Sequence, residues 1–167
     1  WIFLTRPIVL IPSWAFLIAG YLRGSEQSGT PPDFGAPFVT AFILLTLLMA
    51  GTYIVNQIFD RETDRENGKL YLLADGHIPL RGAWIEAVLL TLGALIPAII
   101  RFHSHLPYLV ISCVLGILYS VDPIRLKGKP FLDLVANALG YGAVAFLYGY
   151  SLTAPVGKAE LISTIPY

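Results

Sequence analysis

The chain has 167 residues, of which 56% are apolar and only 13% charged, where a soluble domain carries roughly 25% charge. Its formal net charge is zero, which removes the electrostatic case for nucleic-acid binding, and a single cysteine, Cys113, excludes an internal disulfide framework or a cysteine-based zinc site. Its 15 glycines and 12 prolines sit among long apolar runs rather than in low-complexity linkers, which is the composition of a membrane protein.

Five apolar segments follow in order, at 7–22, 35–59, 83–100, 105–120 and 131–152. A spanning helix needs about 20 mostly apolar residues. Segments 2 and 5 are comfortable and segment 3 is adequate. Segments 1 and 4 are short but carry no charge, and Pro12, Pro97 and Gly116 are tolerable where neighbouring helices satisfy freed backbone groups. A soluble all-α core would show polar stripes at helical period, and segments 2, 4 and 5 show almost none. The pattern predicts an all-α, polytopic transmembrane helix bundle, with five helices and the start of a sixth at 159–167. The chain begins at Trp1 without an initiator Met and stops at Tyr167 inside that last segment, so it is expected to be part of a longer protein.

Lys and Arg counts orient the bundle. Arg6 in the N-terminal stub, Arg61, Arg65, Lys69 and Arg81 after segment 2, and Arg125, Lys127 and Lys129 after segment 4 make eight on one side, against Arg23, Arg101 and Lys158 on the other. The stub and the loops 60–82 and 121–130 are therefore expected to face the cytoplasm.

Segment 2 runs into "YIVNQIFDRETDRENGK", residues 53–69. Steps of four residues drift only about 40° around a helix, so Asn56, Asp60 and Asp64 share one face and climb about 6 Å per step. Glu62 and Glu66 point elsewhere and suit a solvated helix end, paired with Arg61 and Arg65. That plain reading fits Asn56 poorly, because it lies deeper and needs a polar partner. The alternative is a stack of hard oxygen ligands of the kind Mg²⁺ accepts beside phosphate oxygens.

This spacing at the end of the second helix resembles the first aspartate-rich motif of the UbiA-type intramembrane prenyltransferases. Tyr119-Ser120, with Pro123, Arg125-Leu126-Lys127 and Asp133, resembles that family's stretch between helices four and five, and Thr5-Arg6-Pro7 fits the start of helix one. The resemblance covers nearly the whole chain. It implies a nine-helix fold of which 1–167 is the N-terminal part of a single domain. It also implies Mg²⁺ as cofactor, and transfer of an isoprenoid chain from a prenyl diphosphate to an acceptor, commonly an aromatic ring or quinone precursor, within the bilayer. The second aspartate motif of the family would follow helix six, so this stretch alone is not expected to be active.

On that resemblance, Asn56, Asp60 and Asp64 would hold the metal, and Lys69, Arg125, Lys127 and Arg6 would contact the diphosphate. For each cation an interfacial anchor is the plain alternative, and for Lys129 it is preferred. Tyr53, one turn below Asn56, and Tyr119 would shield an allylic cation with their ring faces. Asp133 and Asn137, spaced i, i+4 with Tyr141 continuing the face, are candidate cavity residues; helix capping is the alternative for Asp133. His77 is a weak candidate proton acceptor. The loop "KLYLLADGHIP" replaces the Arg-Pro…Ser-Gly pattern common in the family, which leaves the acceptor subclass open. Two rivals remain. A cation transporter would use the acids but not the basic loop beside them, and a phospholipid headgroup transferase would want a denser aspartate and glycine motif.

Overall fold

The computed structural model describes residues 1–67, 72–73 and 75–159, leaving aside the Tyr141 side chain. A short 3₁₀ turn, Ile2–Thr5, leads into α1 (Pro7–Ser28), α2 (Ala36–Glu66) and α3 (Leu80–Ile100). A second 3₁₀ turn, His103–His105, precedes α4 (Leu106–Ser120), and a third, Leu126–Gly128, precedes α5 (Pro130–Asn137). A π-helical stretch, Ala138–Val144, joins α5 directly to α6 (Ala145–Tyr150), so Pro130–Tyr150 forms one crossing. Five spans are long and apolar enough to cross a membrane, one for each apolar segment of the sequence. Residues 160–167 of the expected sixth segment lie outside the described residues.

Local sequence explains the bounds. Helix α1 starts with proline at its first position, where the missing N–H costs nothing, and ends against Gly29 in the left-handed region (φ 67°). It extends beyond the apolar run because Arg23 and Glu26 pair one turn apart (2.5 Å). At 31 residues, α2 is about 46 Å long, against a hydrocarbon core of about 30 Å. Its excess turns carry Asn56, Asp60 and Asp64 out of the apolar layer. Helix α3 exposes Ile85, Leu89, Ile96 and Ile100 along one stripe, a face suited to lipid.

The core runs between the helices, with Leu17, Leu45, Leu48, Tyr53, Ala94, Leu109 and Tyr148 among its buried members. A smaller cluster of Leu4, Ile54, Leu73, Ile78, Ala83 and Ala87 closes the end that carries the charged loops. There Gln57 Nε2 donates to the Leu4 carbonyl (2.6 Å) and fastens the N-terminal turn to α2. At the opposite end His105 Nδ1 lies 2.7 Å from the Tyr148 hydroxyl, and the Tyr108 ring stacks on Tyr148.

Helices α1 and α6 meet through glycine. A Cβ added at Gly20 would collide with the Phe146 carbonyl oxygen, and one at Gly149 with the Leu17 carbonyl oxygen. Small residues drive such close approach inside membranes, where apolar burial alone does not distinguish neighbour from lipid. Gly149→Val is therefore expected to destabilise the bundle by about 1–3 kcal/mol or more. The check is the temperature of loss of the detergent-solubilised fold, and an unchanged value would mean that α1 and α6 do not pack this closely.

Candidate functional site

The excess turns of α2, the 121–129 loop and the N-terminal turn meet at one end of the bundle. Asp60 lies at the centre of the meeting. Its Oδ1 accepts from Lys127 Nζ (2.6 Å) and from Arg125 Nη2 (3.3 Å). These partners are more than sixty residues away in sequence and reach Asp60 from the far end of α4. Asn56 completes the group. With its amide turned to satisfy both ends, Nδ2 donates to Asp60 Oδ2 (2.9 Å), and Oδ1 accepts from Lys127 Nζ (3.2 Å) and Ser120 Oγ (3.1 Å). Arg125 also reaches Asp122 (3.9 Å).

The cluster is partly withdrawn from solvent. The Asp60 side chain is 22% exposed and that of Lys127 only 12%. Burial pushes the Lys127 ammonium below the usual lysine range, against the opposing pull of Asp60 and, more weakly, Asp64. Asp64, one turn beyond Asp60, is buried (6% exposed). A helix end running freely into water would have left it exposed, as Glu62 and Glu66 are.

Two backbone outliers mark the same end. Arg6 (φ 49°) and Arg125 (φ 36°) are the non-glycine residues in the left-handed region among the described residues. Each such conformation costs about 1–3 kcal/mol and persists only where its surroundings impose it. Arg6 turns the chain from the N-terminal 3₁₀ helix into α1, and Arg125 turns it from the loop into the third 3₁₀ helix, so each aims a guanidinium while redirecting the chain.

Directly below the ionic cluster is a cleft of about 180 Å³ between α1, α2, α4 and the π-helical stretch. Arg6, Tyr53, Asn56, Tyr119, Ser120 and Asn137 line it. Tyr53 donates its hydroxyl to the Val9 carbonyl (3.0 Å), which fixes the ring against α1. The π-helical stretch begins beside Asn137, and such bulges are frequent at functional sites because they re-aim side chains.

Of the residues singled out from sequence, Asn56, Asp60, Arg125 and Lys127 form the cluster, and Arg6, Tyr53, Tyr119 and Asn137 line the cleft. Asp133 is tied to Asn137 one turn on, its backbone oxygen and its Oδ1 both accepting from Asn137 Nδ2 (3.0 Å each). His77 and Lys129 are exposed. Lys69 and the Tyr141 side chain lie outside the described residues. Ser120 was quoted only within the Tyr119-Ser120 stretch and not as the partner of Asn56, and Gln57, the tie to the N-terminal turn, went unrecognised. A polar residue one turn before Asp60 in an apolar helix was the available signal for Gln57.

The donor set fits Mg²⁺ in kind. Asp60 and Asp64 supply hard carboxylate oxygens, and Mg²⁺ is commonly held by one or two carboxylates with water and phosphate oxygens completing its shell. Among the described residues no group of three or more His, Cys, Asp or Glu could hold a metal ion, so these two carboxylates account for only part of such a shell.

An ionic cluster capping a cleft inside a multi-pass helical membrane bundle defines the class of protein. The model of the UbiA prenyltransferase family matches residues 10–166, and the chain belongs to that family. It is 28% identical over 165 residues to the bacteriochlorophyll synthase 34 kDa chain of Chloroflexus aurantiacus, covering 97% of this chain and 52% of the relative. It is 32% identical over 160 residues to digeranylgeranylglyceryl phosphate synthase of Methanoculleus marisnigri, covering 96% and 54%. The fold is similar to that of a UbiA homolog from Archaeoglobus fulgidus bound to GPP and Mg²⁺ (TM-score 0.76, 26% identity, 96% of this chain and 56% of that one). The chain thus spans about half the length of the curated relatives it matches.

Proposed function

We propose that the full-length protein transfers a prenyl chain from a prenyl diphosphate to an acceptor within the membrane, with residues 1–167 as the N-terminal part of a single domain. The observation that carries this reading is the cluster of Asp60, Asn56, Lys127 and Arg125 set directly over a cleft in the bundle. The arrangement has the split character of a prenyl diphosphate, charged at one end and hydrocarbon at the other. The family assignment and the similarity to a homolog bound to GPP and Mg²⁺ support it. The eight-to-three bias of basic residues supports a cytoplasmic placement of the cluster.

Asp60 and Asp64, with Asn56 beside them, would hold Mg²⁺. When bound, the ion supplies positive charge against the leaving diphosphate. Lys127 and Arg125 turn from Asp60 to phosphate oxygens, a planar guanidinium beside an ammonium being well suited to a diphosphate. Arg6 and Lys69 are assigned the same role. In the transfer, the bond between prenyl C1 and the diphosphate oxygen breaks and the diphosphate leaves with the electron pair. The acceptor forms the new bond to C1 and gives up a proton to the released diphosphate. Tyr53 and Tyr119 present ring faces to the allylic cation, worth roughly 0.5–2 kcal/mol each, and the cleft walls keep water from it. Cation transport is disfavoured, because Asp60 is already neutralised by two basic side chains.

The test is mass spectrometry of products formed by the full-length protein from isotope-labelled GPP and a panel of phenolic, quinone-precursor and glycerol-lipid acceptors. A prenylated product that requires Mg²⁺ is expected. Absence of both product and diphosphate release from DMAPP, GPP and longer donors, in folded protein, overturns the reading.

A further inference from the structure

The polar groups of the cleft are distributed unevenly. At its mouth Ser120 Oγ donates to Asn56 Oδ1 (3.1 Å). Its walls include Val9, Met49, Leu115 and Ala136. Among these walls lies Ser112, 4% exposed, whose Oγ finds no hydrogen-bond partner among the described residues. Ser112, Gly116 and Ser120 are spaced i, i+4, i+8 on one face of α4, so Ser112 stands about 12 Å along the helix from the mouth. Thr52, facing this row across Gly116, spends its hydroxyl on the Met49 carbonyl (2.8 Å) and is no partner for Ser112. Asn137 commits its amide nitrogen to Asp133 and so offers the cleft its amide oxygen.

A buried hydroxyl left unpartnered carries its full desolvation cost. A ligand that brings a hydrogen-bonding atom to that depth removes the cost, and an isoprenoid chain has no such atom. Depth points the same way, because a ring held within about 3–3.5 Å of the reacting carbon near the mouth would carry its far substituent toward Ser112.

We infer that Ser112 determines acceptor specificity, its hydroxyl bonding the ring hydroxyl of a phenol whose opposite edge faces the prenyl C1, with the Asn137 amide oxygen as the second polar contact. The inference rests on the prenyl-transfer reading above. A site built around a buried hydroxyl discriminates against an analogue that lacks the matching group.

The test uses the full-length protein in lipid nanodiscs with 4-fluorophenol and fluorobenzene as probes, their binding read by ¹⁹F NMR and corrected for partition into lipid. The wild type is expected to prefer the phenol by about fivefold or more, the equivalent of one net hydrogen bond. Ser112→Ala should bring the ratio close to one, and Ser112→Thr, which keeps the hydroxyl, should retain it. An undiminished preference in Ser112→Ala overturns the inference, as does a wild type without preference. It is also overturned if Ser112→Ala tightens GPP while leaving the phenol ratio alone, since the chain would then occupy this depth. Mg²⁺-dependent diphosphate release from GPP is measured on the same wild-type sample. Its absence rejects prenyl transfer and leaves the ¹⁹F result to judge the phenol subsite alone.

Discussion

In the full-length protein, Asp60→Ala is expected to lower Mg²⁺-dependent release of diphosphate from GPP by at least about 10²-fold, the usual scale for losing one preorganised electrostatic contact to a developing charge. Asp64→Ala should do the same. Asp60 accepts from Lys127 and Arg125 and is bonded to Asn56, so its removal takes away a proposed metal ligand and disorders the cations proposed to receive the diphosphate. The fold should survive. Losing one partner of a buried ion pair is costly when it strands a charge, but burial already pulls Lys127 below the ordinary lysine range. Without Asp60 the ammonium loses the group that most opposed this shift, so it gives up its proton more readily. Circular dichroism and detergent extraction should therefore match the wild type, which separates a lost site from a lost structure. Undiminished diphosphate release in either folded variant would remove that aspartate from the site.

Much of this arrangement was legible in the sequence, and the physics of what was not is consistent. The five spans follow from the length of apolar runs, because in a bilayer the backbone has no alternative to helix or closed barrel. The shared face of Asn56, Asp60 and Asp64 follows from helical period alone. Even the meeting of Asp60 with Lys127 was accessible, since parity places the loops after the second and fourth spans at one end. Residues that depend on how helices pack were not legible. The burial of Asp64 depends on long-range packing around the end of α2, which its exposed neighbours Glu62 and Glu66 give no hint of. Asp133 and Asn137 share a face by spacing, but the hydrogen bonds that tie the Asn137 amide nitrogen to Asp133, and leave its oxygen to the cleft, appear only in the folded chain. Positive φ at Arg6 and Arg125 contradicts local preference and is imposed by the surrounding chain, so no propensity could have found it. Ser112 looks like any small residue of a membrane helix until the cleft is seen to open beside it.

The second large effect is expected at Lys127. In the structure its ammonium rests on Asp60, the carboxylate proposed for the metal, so ion and lysine compete for the same oxygens. A diphosphate relieves that competition by drawing the cations away, and metal and diphosphate should therefore bind cooperatively. Couplings of this kind are typically 5–150-fold and reciprocal. Lys127→Met should tighten Mn²⁺ binding in the absence of diphosphate, weaken inorganic diphosphate by about tenfold or more, and reduce the coupling between the two. A residual coupling is expected from Arg125, which also contacts Asp60 (3.3 Å). Lys127→Arg, which keeps the charge, should restore most of it. Calorimetry with Mn²⁺ and inorganic diphosphate, added singly and together, measures all four quantities without turnover. Equal coupling in the wild type and Lys127→Met would show that Lys127 does not exchange between carboxylate and phosphate. The Lys127–Asp60 pair would then be a fixed strut holding the 121–129 loop to α2, and the diphosphate would have to be received by Arg125 and Arg6.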